Sequence, residues 1–151
     1  MTSPKQSCDS PSTIESGDRV LLIGEEREYF VRAGEGTLST DLGVLELSSL
    51  IGATPGAIVT THRGVPFTVR APRPPDFFVH ASRSGAPMLP RDIGYVISAT
   101  GMNRCDRVLD AGTGSGIAAI YFGSIAHSVD TYEQRPEFSR LAEKNLKDAK
   151  L

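Results

Sequence analysis

Gly112, Gly114 and Gly116 occupy alternate positions directly behind an acid, Asp110, in the run Val-Leu-Asp-Ala-Gly-Thr-Gly-Ser-Gly that starts at Val108. Glycines let a backbone turn tightly and approach a ligand with no Cβ in the way. Where such a turn leads from a strand into a helix, the first helical amides are unpaired and carry partial positive charge. Here those amides come from about Ser115, Gly116, Ile117 and Ala118, and they can receive a carboxylate or a phosphate. Asp110 repels a pyrophosphate but can accept from an ammonium group. A second acid, Glu133, closes the run Asp-Thr-Tyr-Glu that starts at Asp130. A carboxylate at the end of the next strand can accept both hydroxyls of a ribose. Ammonium, carboxylate and ribose together describe a nucleoside with an amino-acid tail, and S-adenosylmethionine is that molecule. NAD is the alternative ligand, but its fingerprint spaces the glycines Gly-x-Gly-x-x-Gly. A tight turn with no ligand is the plain alternative.

The flanking residues form elements suited to hold such a loop. A strand is expected at Arg107–Asp110, a helix over about Gly116–Gly123 and a second strand at about Ser128–Glu133. A last helix begins near Pro136, with Phe138, Leu141, Ala142 and Leu146 on one face. This β-loop-α-β-α order opens a doubly wound parallel sheet. Before it, Pro90–Gly101 reads as a helix with proline in its first turn, an apolar stripe of Ile93, Val96 and Ile97, and a terminal glycine. Arg70–Pro75 (RAPRPP) reads as a linker. Upstream, Arg19–Ile23 and Glu28–Arg32 form one expected hairpin, Ala57–Thr61 and Pro66–Val69 another. Thr37–Ser39 and Val44–Leu47 lie between them, followed by a short link or single helical turn at Ser48–Gly52. Short strands at this spacing predict a small β-barrel or sandwich.

The expected architecture is therefore α/β: a flexible Ser/Thr/Pro-rich tail over 1–16, a small β-barrel-like domain over 17–70, a linker and loop over 71–89, and the first part of a Rossmann-like methyltransferase domain over 90–151. The 151 residues carry a net charge of −2, which excludes a chain coated in basic residues but not a local basic patch. No run is long and apolar enough for a membrane helix, the first residues lack a signal-peptide core, and a cytoplasmic location follows by default. Cys8 and Cys105, in unlike contexts, predict no disulfide, and with His62, His80 and His127 scattered no metal site is expected.

Over about residues 17–151 the sequence resembles the tRNA (adenine-N1)-methyltransferases that act on the T-loop, especially the bacterial and archaeal ones. The resemblance is carried by Gly17-Asp18-Arg19-Val20-Leu21-Leu22, by Pro90-Arg91-Asp92-Ile93-Gly94-Tyr95, and by the glycine loop with Tyr132-Glu133-Gln134-Arg135 and Phe138 after it. It implies an S-adenosylmethionine-dependent enzyme with tRNA as partner and a homotetrameric assembly. Asp110, Gly112 and Gly114 would shape the cofactor loop, and the backbone of Ser115, Gly116, Ile117 and Ala118 would meet the methionine end. Glu133 would hold the ribose, and Phe138 would lie near the adenine and ribose. Pro90-Arg91-Asp92 would cover the cofactor, and Arg63, Arg70, Arg73, Arg83 and Arg91 would reach phosphates. The sequence departs from the family at Ala86, where a glutamine is frequent, at Leu89 for tyrosine and at Arg91 for lysine. The link Gly123–Ser128 is also short. The family's catalytic aspartate, at the end of a later strand, has no counterpart before Leu151. The expectation is a donor half-site, the N-terminal part of a longer protein. Other Rossmann methyltransferases, or a non-catalytic RNA-binding subunit, are the alternative functions.

Overall fold

The computed structural model describes residues 13–83 and 85–151. Most of the expected tail, and Cys8 with it, lies outside the described residues. The chain divides into two compact units, 1–71 and 72–151.

In the first unit, β1 (Arg19–Ile23) pairs antiparallel with β2 (Glu28–Arg32) and β6 (Pro66–Arg70), and β6 pairs with β5 (Ile58–Thr60). Strand alternation puts Val20 and Leu22 of β1 on the same face as Phe67 and Val69 of β6. These four pack with Ile14, Ala33, Leu45 and Leu50 into the unit's core. Tyr29 meets the Phe67 ring edge-on, 5.6 Å between centroids. Ile14 corrects the expectation of a free tail up to residue 16. It is the first large apolar side chain after the Ser/Pro run, it is buried, and its backbone bonds Ala53 and Gly52 in both directions.

The strands do not close into a barrel among the described residues. They form an open sheet of order β2-β1-β6-β5 and a separate hairpin of β3 (Thr37–Thr40) and β4 (Gly43–Glu46). The reason lies at His62. Its amide bonds the Val44 carbonyl at 2.9 Å, but the Val44 amide donates to the His62 imidazole Nδ1 at 2.8 Å. A side-chain nitrogen stands where a ladder carbonyl would be, and the pairing stops there. Thr61 adds a side-chain bond to the Leu42 carbonyl.

In the second unit, α1 (Pro74–His80) begins inside the proline run expected to be linker. Pro74 and Pro75 fill the first two helical positions, where a missing amide costs nothing, and the Asp76 carboxylate accepts from the Arg73 amide at 2.6 Å. Then come α2 (Pro90–Thr100), β7 (Arg107–Ala111), α3 (Ile117–Gly123), β8 (Ser128–Tyr132) and α4 (Pro136–Asp148). Gly101 ends α2 with φ +67, the left-handed cap expected of glycine there. β7 and β8 run parallel with Asp110 beside Thr131. Ile117, Ala119, Ile120 and Phe122 bury α3, which packs against α1, α2 and α4. One face of the two-stranded sheet is open, with Leu109 73% and Tyr132 65% exposed.

The three loop glycines have different jobs. All have positive φ, +99, +58 and +83 in chain order. A Cβ at Gly112 would meet nothing within 4 Å, whereas one at Gly116 would stand 3.3 Å from the Cα of Ala142. Gly112→Ala is expected to lose only the backbone term, about 1–2 kcal/mol. Gly116→Ala adds overpacking against α4, a further ~1–3 kcal/mol. Urea unfolding of the two variants should rank them in that order.

Candidate functional site at the glycine loop

At the end of β7 the chain turns through 112–116 beside the end of β8. The amides of Gly112 and Thr113 both donate to the Tyr132 carbonyl, at 2.7 and 3.1 Å, and the Gly116 amide donates back to Thr113. Asp110 sits under this turn and accepts from the Thr131 hydroxyl at 2.7 Å. Thr131 and Thr113 hydroxyls also touch. Because Thr131 spends its proton on the carboxylate, Thr113 must donate to Thr131. The two hydroxyls thus form a short relay that ends on Asp110.

Glu133 lies one residue past β8, its side chain only 5% exposed. One carboxylate oxygen accepts from the Gly114 amide at 2.8 Å. The other accepts from the Arg135 amide and the Arg135 Nε, both at 3.1 Å. The Arg135 side chain, then its amide, then that of Gly114 hold the Glu133 carboxyl down from 4.5 to about 2, against the opposing cost of burial. The Arg135 guanidinium also lies 3.7 Å from the centroid of the Phe138 ring, a cation–π contact. Phe138 is therefore engaged by Arg135 on that face. Gly112, Tyr132, Glu133, Gln134 and Arg135 line an open cavity of about 570 Å³, within the range usual for small-molecule sites.

The structure brings Gly112 and Glu133 together at this cavity, with the Gly114 amide bonded to Glu133, while Asp110 lies beneath the turn, bonded to Thr131. Ser115, Gly116 and Ile117 are buried behind it, and Ala118 is half-buried at the start of α3. Pro90-Arg91-Asp92 opens α2, with Pro90 half-buried and Arg91 and Asp92 exposed, Arg91 Nε 3.4 Å from Asp92. Among the arginines expected at phosphates, Arg63 bonds the Asp41 carbonyl and Arg83 lies over the Phe78 ring. No group of three or more acids, histidines or cysteines that could hold a metal occurs among the described residues. No described helix is long and apolar enough to cross a membrane.

Three residues were given no role by the sequence. Tyr132 lines the cavity, and its only signal was its place beside Glu133. Arg135 clamps Glu133, a pairing that its position two residues on does not announce. Asn145 is buried on α4, where it sits in phase with Phe138 and Ala142.

With this geometry in view, similarity to known proteins becomes informative. The chain is 32% identical over 130 residues to the tRNA (adenine(57)-N(1)/adenine(58)-N(1))-methyltransferase TrmI of Methanocaldococcus jannaschii, covering 83% of this chain and 45% of that protein. It is 31% identical over 135 residues to the tRNA (adenine(58)-N(1))-methyltransferase TrmI of Thermus thermophilus, covering 87% of this chain and 53% of that one. Over most of its length, the chain is similar to tRNA (adenine-N1)-methyltransferases. It spans about half the length of these curated relatives. Among solved structures, a SAM-dependent O-methyltransferase from Thermotoga maritima superposes with a TM-score of 0.81 at 31% identity, covering 92% of this chain and 54% of that one. The tRNA (m1A58) methyltransferase TrmI of Aquifex aeolicus gives a TM-score of 0.74 at 28% identity, covering 93% and 56%. The fold is thus the α/β fold of these methyltransferase structures. No family model matches the chain.

Arg135→Met should raise the Glu133 pKa from about 2 toward the ordinary 4.5, read by carbon-13 carboxyl NMR. The sign follows from the depressed value. The ionised carboxylate's contribution is complete above pH 4.5 and is lost as pH falls toward 2 in the parent; in the variant that contribution is smaller, by the part of the depression that the Arg135 side chain supplied.

Proposed function

We propose that the glycine loop and Glu133 bind S-adenosylmethionine, and that the protein carrying this chain methylates N1 of an adenine in the tRNA T-loop. The observation that carries the reading is Glu133. Its ionised carboxylate is fixed at the rim of the cavity beside Gly112, whose α-carbon faces open space where a Cβ would point. The residues present fit the cofactor. Glu133 accepts from the ribose hydroxyls, with the exposed Arg135 side chain yielding to them. Asp110, already tied to Thr131, lies where it can accept from the ammonium, directly or through water. The loop backbone from Gly112 to Gly114 lies against the tail, and the amides of Ser115, Gly116, Ile117 and Ala118 supply positive potential from behind. Phe138 flanks the adenine side through Arg135. When bound, the cofactor supplies a sulfonium methyl for in-line displacement. The chain's own part is orientation and exclusion of water.

The tRNA substrate is supported by the names of the relatives above. The β-unit, with its arginines, is the element we assign to docking that tRNA. The cytoplasmic location, expected by default, and the homotetrameric assembly, implied by the resemblance, belong to the same proposal. A second reading, transfer to oxygen, is favoured by the name of the Thermotoga neighbour.

The protein carrying this chain, incubated with unmodified tRNA transcript and labelled methyl donor, should place label on N1 of a T-loop adenine. Glu133→Ala should raise KM for the methyl donor at least about tenfold, one lost charge-assisted hydrogen bond or more. Label on an oxygen favours the second reading, and an unlabelled RNA refutes the first.

A further inference from the structure

Asn145 is a buried side chain near the loop to which the cofactor reading gives no task. It is 2% exposed. Its amide nitrogen donates to the Ser115 carbonyl at 2.8 Å and to the Ser82 carbonyl at 2.9 Å. A side-chain amide has two N–H donors, and both are spent, on carbonyls 30 and 63 residues away in sequence. Ser115 lies in the glycine turn. Ser82 lies between α1 and α2, upstream of Pro90-Arg91-Asp92.

The rest of the same helix face makes parallel contacts. Phe138, Ala142 and Asn145 follow helical spacing. A Cβ at Gly85 would stand 3.9 Å from the Phe138 ring, and one at Gly116 would stand 3.3 Å from Ala142. One face of α4 therefore faces Ser82 and Gly85 on one side and the 115–116 turn on the other, and Asn145 bonds the carbonyls of Ser82 and Ser115. Neutral charge matters here. Two carbonyl dipoles converge on one buried nitrogen, so an acceptor in its place would be repelled, and an apolar group would leave the buried Ser115 carbonyl and the part-buried Ser82 carbonyl without this donor.

We propose that Asn145 is a positioning residue for cofactor binding, holding the glycine turn and the backbone at Ser82 in fixed relation through its two amide protons. The proposal rests on the reading of the loop as a cofactor site. Its most telling variant is Asn145→Asp, which keeps the shape. Protonated, the acid can donate to one carbonyl. Ionised, it can donate to neither.

The test titrates S-adenosylhomocysteine into the full chain by calorimetry from pH 5 to pH 8, and follows amide hydrogen exchange, corrected for intrinsic rates, over 82–89 and 112–118 without ligand. The expected result is an affinity of Asn145→Asp that falls about tenfold or more as pH rises, as one buried hydrogen bond is lost, while the parent changes less than about twofold. Exchange in both segments should quicken together in the variant at pH 8. A residue that only stabilised the helix would lower the melting temperature without a pH-dependent affinity in the folded protein. Asn145→Ser, too short to reach both carbonyls, should bind more weakly at every pH and serves if the aspartate variant unfolds. Parent-like binding by Asn145→Ser, or a pH-flat affinity in folded Asn145→Asp, overturns the proposal alone. Absence of binding by the parent overturns the cofactor reading and this proposal's affinity claim with it.

Discussion

A methyl group on Gly116 would sit 3.3 Å from the Cα of Ala142, closer than a packed core tolerates without movement. That approach sets where the short helix α3 starts relative to α4, and hence where the turn from 112 to 116 lies. The other constraints are consistent with it. With the turn seated on α4, the Ser115 carbonyl comes within reach of the Asn145 amide. The Gly114 amide points at Glu133, and the turn's first amides meet the Tyr132 carbonyl at the end of β8. The site is a short piece of backbone pinned from behind by a helix and from the side by a strand end. Its free side faces the cavity.

The electrostatics follow from the same pinning. Glu133 is nearly shut off from solvent yet stays ionised, because a backbone amide of the turn and three donors of Arg135 converge on it. Charge-assisted bonds outweigh burial here, which is why its pKa falls rather than rises. Phe138 in turn supports the Arg135 guanidinium. A carboxylate so held keeps its charge and its direction across the physiological range, the property required of a hydroxyl acceptor that must not titrate.

Local pattern made much of this legible. Short β-branched, aliphatic or alternating runs located β1, β2, β5 and β6, and their hairpin partners followed from the short turns between them. Glycine spacing behind Asp110 located the loop, and helical phase located the buried face of α4. What pattern could not give was partnership across distance. His62 ends a ladder with a ring nitrogen, which leaves the β-unit open where short strands suggested a barrel. Ile14 binds Ala53 and Gly52 from within an apparently featureless tail. Pro74 and Pro75 start a helix where proline suggested a linker. Asn145 was invisible because an asparagine among apolar neighbours on α4 announces burial only once its two carbonyl partners are known. At the site itself, the acids and glycines were readable as types at a spacing, while the Arg135 clamp that fixes Glu133 was not.

The central claim is that the turn after β7 and the acid after β8 form one ligand site. Titrating S-adenosylhomocysteine into nitrogen-15-labelled chain and following backbone amides by NMR tests it most directly. The account predicts saturable shifts centred on Gly112, Gly114, Ser115 and Glu133, with the β-unit's amides, such as those of Val20 and Phe67, unmoved. Saturable shifts confined to other residues, or none at millimolar ligand, would contradict it.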